Sequence, residues 1–448
     1  MHDLLIDAAR RAIRYRDSLT DRRVAPTPAA LAELVRFREP LGQQGCPAAT
    51  VVALLDEIGS PATMATAGGR YFGFVNGSSL PVSVAANWLA TAWDQNAALG
   101  VMSPVAATLE EITLGWLIDL FGLPAETAGT FVTGATMASF SALAAARHEL
   151  LARAGWNAEA DGLFGAPPVT VVVGEECHAS IGRALALLGL GRERVLRVPT
   201  DQHGRMRSDA LPKLTAGPTI ICMQAGNVNT GAFDPADEIN DWAQQYDAWV
   251  HVDGAFGLWA LAAPTHSHLT QGIGRAQSWA TDGHKWLNVP YDCGIAFVRN
   301  ADALRGAMAM TAAYLPPSEL RDPMHYGPDA SRRARAIDVW AALKHLGRDG
   351  IADLVTRCCA FAARIGRELA AAGHEVLNDV VLNQVLVAFG DDTQTRRVID
   401  AIQRDGTCWC GVSYWHGRTV MRISVSSWAT TDADVDRALK AMLGIARR

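Results

Sequence analysis

Ser278-Trp279-Ala280-Thr281-Asp282-Gly283-His284-Lys285-Trp286-Leu287-Asn288 decides how this chain is read. A polar turn carrying His284 and Lys285 leads into the apolar run Gly294-Ile295-Ala296-Phe297-Val298. That order puts the lysine at the edge of a buried sheet, where an amine shielded from bulk water can attack a carbonyl. Further upstream, Val250-His251-Val252-Asp253-Gly254-Ala255 reads as a buried strand that ends on a carboxylate. Most lysines are solvated surface charges, so the weight of the reading lies on the pair Lys285 and Asp253.

Composition excludes several classes. The chain has 448 residues, 49% hydrophobic and 19% charged, enough to bury a core and far from the make-up of a disordered segment. A net charge of −6 gives no general attraction to nucleic acid or anionic membrane. There is no apolar run of about 18 residues, so no membrane partner is expected. Met1 to Asp7 carries acids and lacks the basic region of a secretory signal. The eight cysteines are scattered, and neither Cys358-Cys359 nor Cys408-Trp409-Cys410 has the spacing of a zinc site. His266 and His268 lack a third ligand nearby, so no metal is expected. Reduced thiols and a cytoplasmic location are the simplest account.

Taken in order, residues 1–60 read as a helical arm, with Pro26-Thr27-Pro28 breaking its first segment. The Gly-rich, aromatic stretch from Gly68 to Ser79 reads as an ordered loop that offers Phe74 and Asn76 to a pocket. Helices are expected over Val82–Trp93 and Ala106–Phe121. The run Thr130-Phe131-Val132-Thr133-Gly134-Ala135-Thr136 passes from a strand through a tight turn into a long Ala-rich helix. Such a helix start favours a phosphate, with Thr133, Thr136 and Ser139 as possible hydroxyl donors. Strands then alternate with helices: Val169–Val173, Val195–Val198, Thr219–Met223 and Ala248–Val252, with helices near Ser180–Leu190, Ser208–Leu214 and Pro235–Tyr246.

Near-continuous apolar strands between helices predict an α/β fold, a mostly parallel sheet covered on both faces. In such sheets the site lies at the carboxyl ends of the strands, and His178, Asn227–Gly231 and Asp253 all fall there. The large domain is expected over residues 61–310. Residues 311–334 read as a loop, a long helical region follows with a break between Leu346 and Ile351, and residues 311–448 as a whole read as a smaller α+β domain.

A lysine and an aspartate on the ends of two buried strands suit pyridoxal phosphate chemistry. The lysine attaches the cofactor's aldehyde, and the aspartate keeps the pyridine nitrogen protonated so that the ring accepts electrons. From about Tyr71 to Leu439 the chain resembles the pyridoxal-phosphate-dependent group II amino acid decarboxylases, the aromatic amino acid and glutamate decarboxylases among them. His284-Lys285-Trp286-Leu287 and His251-Val252-Asp253-Gly254-Ala255 carry that resemblance most specifically.

The resemblance implies a fold-type I architecture and pyridoxal 5′-phosphate held by Lys285. It implies Asp253 on the ring nitrogen, Ala255 and His178 on the two ring faces, and Thr230 beside the cofactor. Gly134, Ala135, Thr136, Ser278 and His284 match the phosphate-binding set. Arg422 resembles the arginine that takes a substrate carboxylate. Gly134-Ala135, Gly254 and Gln277 depart from the pattern of many relatives. In aromatic decarboxylases a longer loop delivers a proton-donating tyrosine; between Tyr314 and Arg332 the loop here is short, with Tyr326 and His325 as positional candidates.

The expected reaction is α-decarboxylation of an L-amino acid, with an aromatic one plausible, to the amine and CO2. Rival readings on the same fold are an aminotransferase, a carbon–carbon lyase and a decarboxylation-dependent oxidative deaminase. A regulatory scaffold that binds the cofactor without turnover is the non-enzyme rival. The resemblance also implies a homodimer.

Overall fold

The structure is a computed structural model and describes residues 1–310 and 320–448. The chain divides into two compact units, one of Ser79–Ala363 with Asn378–Gln384, the other of Met1–Ser78, Arg364–Leu377 and Val385–Arg448.

The first unit is built on seven strands: β1 (Ala128–Val132), β2 (Thr170–Gly174), β3 (Val195–Val198), β4 (Thr219–Gln224), β5 (Trp249–Asp253), β6 (Ser278–Asp282) and β7 (Gly294–Val298). They lie in the order β1-β7-β6-β5-β4-β2-β3. Strands β2 to β6 pair in parallel, and β7 runs antiparallel to both β6 and β1. Every residue of β4, β5 and β6 is buried, as expected of a sheet covered on both faces. Their polar members, His251, Asp253, Ser278 and Asp282, are therefore buried and need partners.

Helix α1 (Ala135–Arg153) covers one face. Its Ala142, Leu143, Ala145, Ala146 and Leu150 share a core with Val171, Val173, Ile220, Cys222 and Trp249. Alanine favours the helix and lets it lie close to the sheet. Helix α2 (Ala179–Leu187) adds Ile181, Ala184 and Leu185 to the same core. Helix α3 (Ala236–Gln245) buries Ile239, Trp242 and Ala243.

The helix expected over Ser208–Leu214 is only a single turn, Ser208–Ala210. Leu211 precedes Pro212, whose ring forces it out of the helical region, and it adopts φ −60°, ψ 134°. The expected break after Leu346 falls at Gly347, which takes φ 61° and ψ −176°. Glycine adopts that backbone without a Cβ clash.

In the second unit, β8 (Glu375–Val376), β9 (Gln384–Ala388), β10 (Gly411–Trp415) and β11 (Arg418–Ser424) form a sheet in the order β10-β11-β9-β8. Helices α4 (Asp392–Asp405) and α5 (Asp432–Ala446) accompany it. Sequence sets residues 1–60 apart as an arm and 311–448 as a domain, whereas residues 1–78 join the C-terminal segment in one unit. Backbone bonds make the join: Val24 N to Gly406 O at 2.8 Å, Phe72 N to Trp409 O at 2.8 Å and Ser424 N to Phe72 O at 2.9 Å. Buried Arg70 donates to the carbonyls of Thr20 and Arg22, both at 2.9 Å.

Gly294, the first residue of β7, pairs with both Asp282 and Val132. A Cβ there would stand 2.4 Å from the Gly134 Cα, in the turn that opens α1. Because that neighbour is backbone, Gly294→Ala should lower the urea midpoint by the equivalent of about 1–3 kcal/mol. Gly444→Ala, on an exposed helix position with nothing within 4 Å, should instead be neutral or slightly stabilising.

Candidate active site

Strand β6 ends at Asp282, and Gly283-His284-Lys285 turns away at the carboxyl edge of the parallel strands. The amides of Gly283 and His284 both donate to Cys293 O, at 3.0 and 3.3 Å, which fixes the turn against the approach to β7. Lys285 Nζ stands 3.2 Å from Asp282 Oδ2 and 6.0 Å from the centre of the Phe256 ring. Asp282 Oδ1 accepts from the Ala135 amide at 2.6 Å and lies 3.7 Å from His284 Nε2. One buried carboxylate thus touches the lysine, the histidine and the first amide of α1.

His284 Nδ1 accepts from the Cys293 amide at 3.0 Å, and its ring stacks on Tyr291 with centres 4.3 Å apart. Burial pushes its pKa down, with Asp282 opposing. The neutral ring therefore carries its proton on Nε2, the nitrogen that faces Asp282.

Strand β5 ends beside this turn. Asp253 pairs in register with Gln224 of β4 and Ala280 of β6. Its buried Oδ1 accepts from the Ala255 amide at 3.3 Å. Ala255 O in turn accepts from the Asp282 amide at 2.9 Å, which stitches the segment after Asp253 to the strand end that carries Lys285. His178 caps α2: its Nδ1 accepts from the Ser180 amide at 3.2 Å and lies 2.7 Å from Ser180 Oγ. Thr136, in the first turn of α1, lines the same cleft as Cys177 and His178, with a volume of about 820 Å³.

Not every residue singled out in sequence joins this group. Ser278 begins β6 while the lysine follows its end, a separation of roughly 13 Å at ~3.3 Å per strand residue. Its Oγ accepts from Trp249 Nε1 at 2.8 Å and meets His251 Nδ1 at 2.9 Å. Ser139, named as a possible hydroxyl donor, meets His251 Nε2 at 3.2 Å and is fully buried. Thr133 is exposed. Thr230 donates its hydroxyl to His203 O at 2.7 Å within the turn held by Asn227 Oδ1.

Tyr326 lies under the Arg321 guanidinium, 3.9 Å from the ring centre, and packs against the core beneath α1 and α2. Arg321 is itself held by Glu110 at 3.0 Å. His325 Nδ1 accepts from the Met310 amide at 3.4 Å. Tyr314 and its neighbours to residue 319 lie outside the described residues.

Arg422, Phe74 and Asn76 belong to the second unit. Trp409 stacks on Tyr71 and Phe74, with centres 5.1 and 5.4 Å apart. Burial pushes the Tyr71 hydroxyl up to about 12, against the pull of Arg422. Burial likewise pushes the Arg422 guanidinium down, against the pull of Tyr71. Asn76 O accepts from Ser426 Oγ at 2.9 Å. Sequence reasoning assigned no role to Asp282, Tyr291 or Trp409. Asp282 was findable, since a carboxylate ending a buried strand is the signature that singled out Asp253.

This donor set fits a phosphorylated pyridoxal. It offers an amine for the aldehyde, a buried carboxylate for the ring nitrogen, an imidazole at the cleft, and a helix start with a threonine for the phosphate. A Cβ on Gly134 would lie 3.5 Å from both Asp282 Oδ1 and His284 Cε1, so the glycine keeps that corner open.

Comparison with known proteins agrees. The family model for the pyridoxal-dependent decarboxylase conserved domain matches residues 67–390. The chain belongs to this family. Its cofactor is pyridoxal 5′-phosphate. The chain is 33% identical over 290 residues to the aromatic-L-amino-acid decarboxylase of Bacillus atrophaeus, across 62% of this chain and 58% of that one. It is 29% identical over 440 residues to the L-2,4-diaminobutyrate decarboxylase of Rhizobium meliloti, across 93% and 86%. The chain spans little more than half the length of the first curated relatives it matches. The crystal structure of Oryza sativa TDC with PLP and tryptamine superimposes with a TM-score of 0.91 at 21% identity, covering 100% of this chain and 97% of that one, which shows the shared fold-type I architecture.

His251 gives this site a pH signature. Burial pushes its imidazole down to about 4, with Asp253 opposing. In the unfolded chain a histidine titrates near 6.5, so between about pH 6.5 and 4 the unfolded state binds the extra proton and stability falls as pH falls. The loss should reach roughly 3 kcal/mol near pH 4. Asp234 and Asp338, each pushed up to about 6 by burial, titrate in any variant and cancel in a difference. Urea unfolding of wild type and His251→Gln across this window should show the wild type losing more; parallel curves would refute the assignment.

Proposed function

We propose that the chain removes the α-carboxylate of an L-amino acid as CO2 and leaves the amine. The observation that carries this reading is that Asp253 and Lys285 follow the ends of two neighbouring parallel strands in a chain of the pyridoxal-dependent decarboxylase family. When bound, the cofactor supplies a conjugated ring that accepts the electron pair of the breaking bond. Lys285 Nζ would hold the cofactor's aldehyde. Asp253 holds the proton on the ring nitrogen, and its burial strengthens that pairing. His178 lines the cleft and would pack against the cofactor's ring. In this reading Ser79–Ala363 is the cofactor-binding domain.

Within the second unit, Tyr71, Phe74 and Trp409 gather aromatic surface and Arg422 adds a cation. That chemistry suits an aromatic amino acid and its carboxylate, in keeping with the name of the Bacillus relative. Among the described residues no helix is long and apolar enough to cross a membrane, and the reading includes a cytoplasmic location. It also includes a homodimer, supported by exposed Trp88, Leu89 and Trp93 on helix Pro81–Trp93 and Val105, Ile112 and Trp116 on helix Pro104–Leu120.

Incubation with the common L-amino acids should release CO2 and amine in equal amounts from one of them. Lys285→Ala should lose both the product and the visible absorbance of the attached cofactor, and Asp253→Asn should lower turnover by about 10²-fold or more. A keto acid or aldehyde in place of the amine would replace this reading with one of its rivals. Gel filtration should place the active chain at twice its 47.9 kDa mass; an active monomer would count against the dimer.

A further inference from the structure

The amide that opens α1 already has an anion of the chain's own. Asp282 Oδ1 accepts from Ala135 N at 2.6 Å, its other oxygen lies 3.2 Å from Lys285 Nζ, and its side chain is only 4% exposed. In the donor set and function described above, this helix start would take the cofactor's phosphate and Lys285 its aldehyde. We propose that Asp282 is a specificity-determining residue, a buried carboxylate that competes with the phosphate for the start of α1 and so limits the preference for phosphorylated over unphosphorylated cofactor. The inference rests on that reading of the site.

Three observations support it. One N–H cannot serve two anions at full strength, and Ala135 is the first helical amide, one of the donors a helix start offers to an anion. Two anions a few ångströms apart in a buried corner repel far more than in water. Among the described residues, the potential cations that touch Asp282 are Lys285, which the aldehyde would engage, and His284, which burial holds in its neutral form.

A purely structural role is the competing account. Gly134 precedes α1 and has no side chain to cap it, so Asp282 could serve only as that cap. Asparagine separates the two, because its carbonyl oxygen still accepts from Ala135 N but carries no charge.

The experiment uses the full chain, freed of cofactor and titrated with pyridoxal 5′-phosphate and, separately, pyridoxal, with uptake followed by visible absorbance. Asp282→Asn should raise the ratio of the two affinities by about tenfold or more, mainly by tightening the phosphorylated compound. Asp282→Ser, smaller and also neutral, should move the ratio the same way, and circular dichroism checks that each variant is folded. An unchanged or lowered ratio in a folded variant overturns the inference, while normal cofactor uptake in the same titrations keeps the cofactor reading intact. A wild-type chain that takes up neither compound would sink the cofactor reading and this inference with it.

Discussion

Two backbone hydrogen bonds hold the carboxyl ends of β5 and β6 in step: Gly254 N to Ala280 O at 3.0 Å, and Asp282 N to Ala255 O at 2.9 Å. The chemistry of the chain depends on this alignment. Side chains alternate along a strand, so a slip of one residue would turn Asp253 to the opposite face of the sheet. It would also carry Asp282, and the lysine three residues later, out of step with the start of α1. What fixes the register is burial on both sides, since all five residues of each strand are inaccessible and every polar member must find a partner inside.

That demand explains the polar layer beneath the site. Trp249, Ser278, His251 and Ser139 form a linear chain of contacts of 2.8, 2.9 and 3.2 Å. His251 and Asp253 are two residues apart on β5 and share a face, so the histidine anchors the strand just below the Asp253 carboxylate. A slipped register would leave these groups buried and unpaired, at a cost of about 1–3 kcal/mol each. Satisfied, they make one alignment far better than its neighbours.

Much of this was legible in the sequence, for physical reasons that can be named. Continuous apolar strands between helices can only be sheltered by a sheet covered on both faces, so the parallel core followed from pattern alone. The same reasoning failed where partners are distant in sequence. Ser278 sits close to Lys285 in the chain, yet an intervening strand separates them and hands the serine to Trp249 and His251. Tyr326 falls in the right loop, but its ring is taken by Arg321, whose partner Glu110 lies more than two hundred residues away. Trp409 had no local signal, because its stacking on Tyr71 exists only once the N- and C-terminal segments share a unit.

The close passage of β7 past the start of α1 has a further consequence. Gly294 pairs with Asp282 on one side and Val132 on the other, with no room for a Cβ against Gly134. The strand leading into α1 and the strand leading to Lys285 are therefore held one glycine strand apart. The helix start and the lysine turn cannot drift independently, because any widening must break pairing on one side of β7. Asp282 spans that fixed gap, reaching the helix amide with one oxygen and the amine with the other. The spacing of the helix start and the strand end that carries the lysine turn is therefore set by backbone pairing on the two sides of β7.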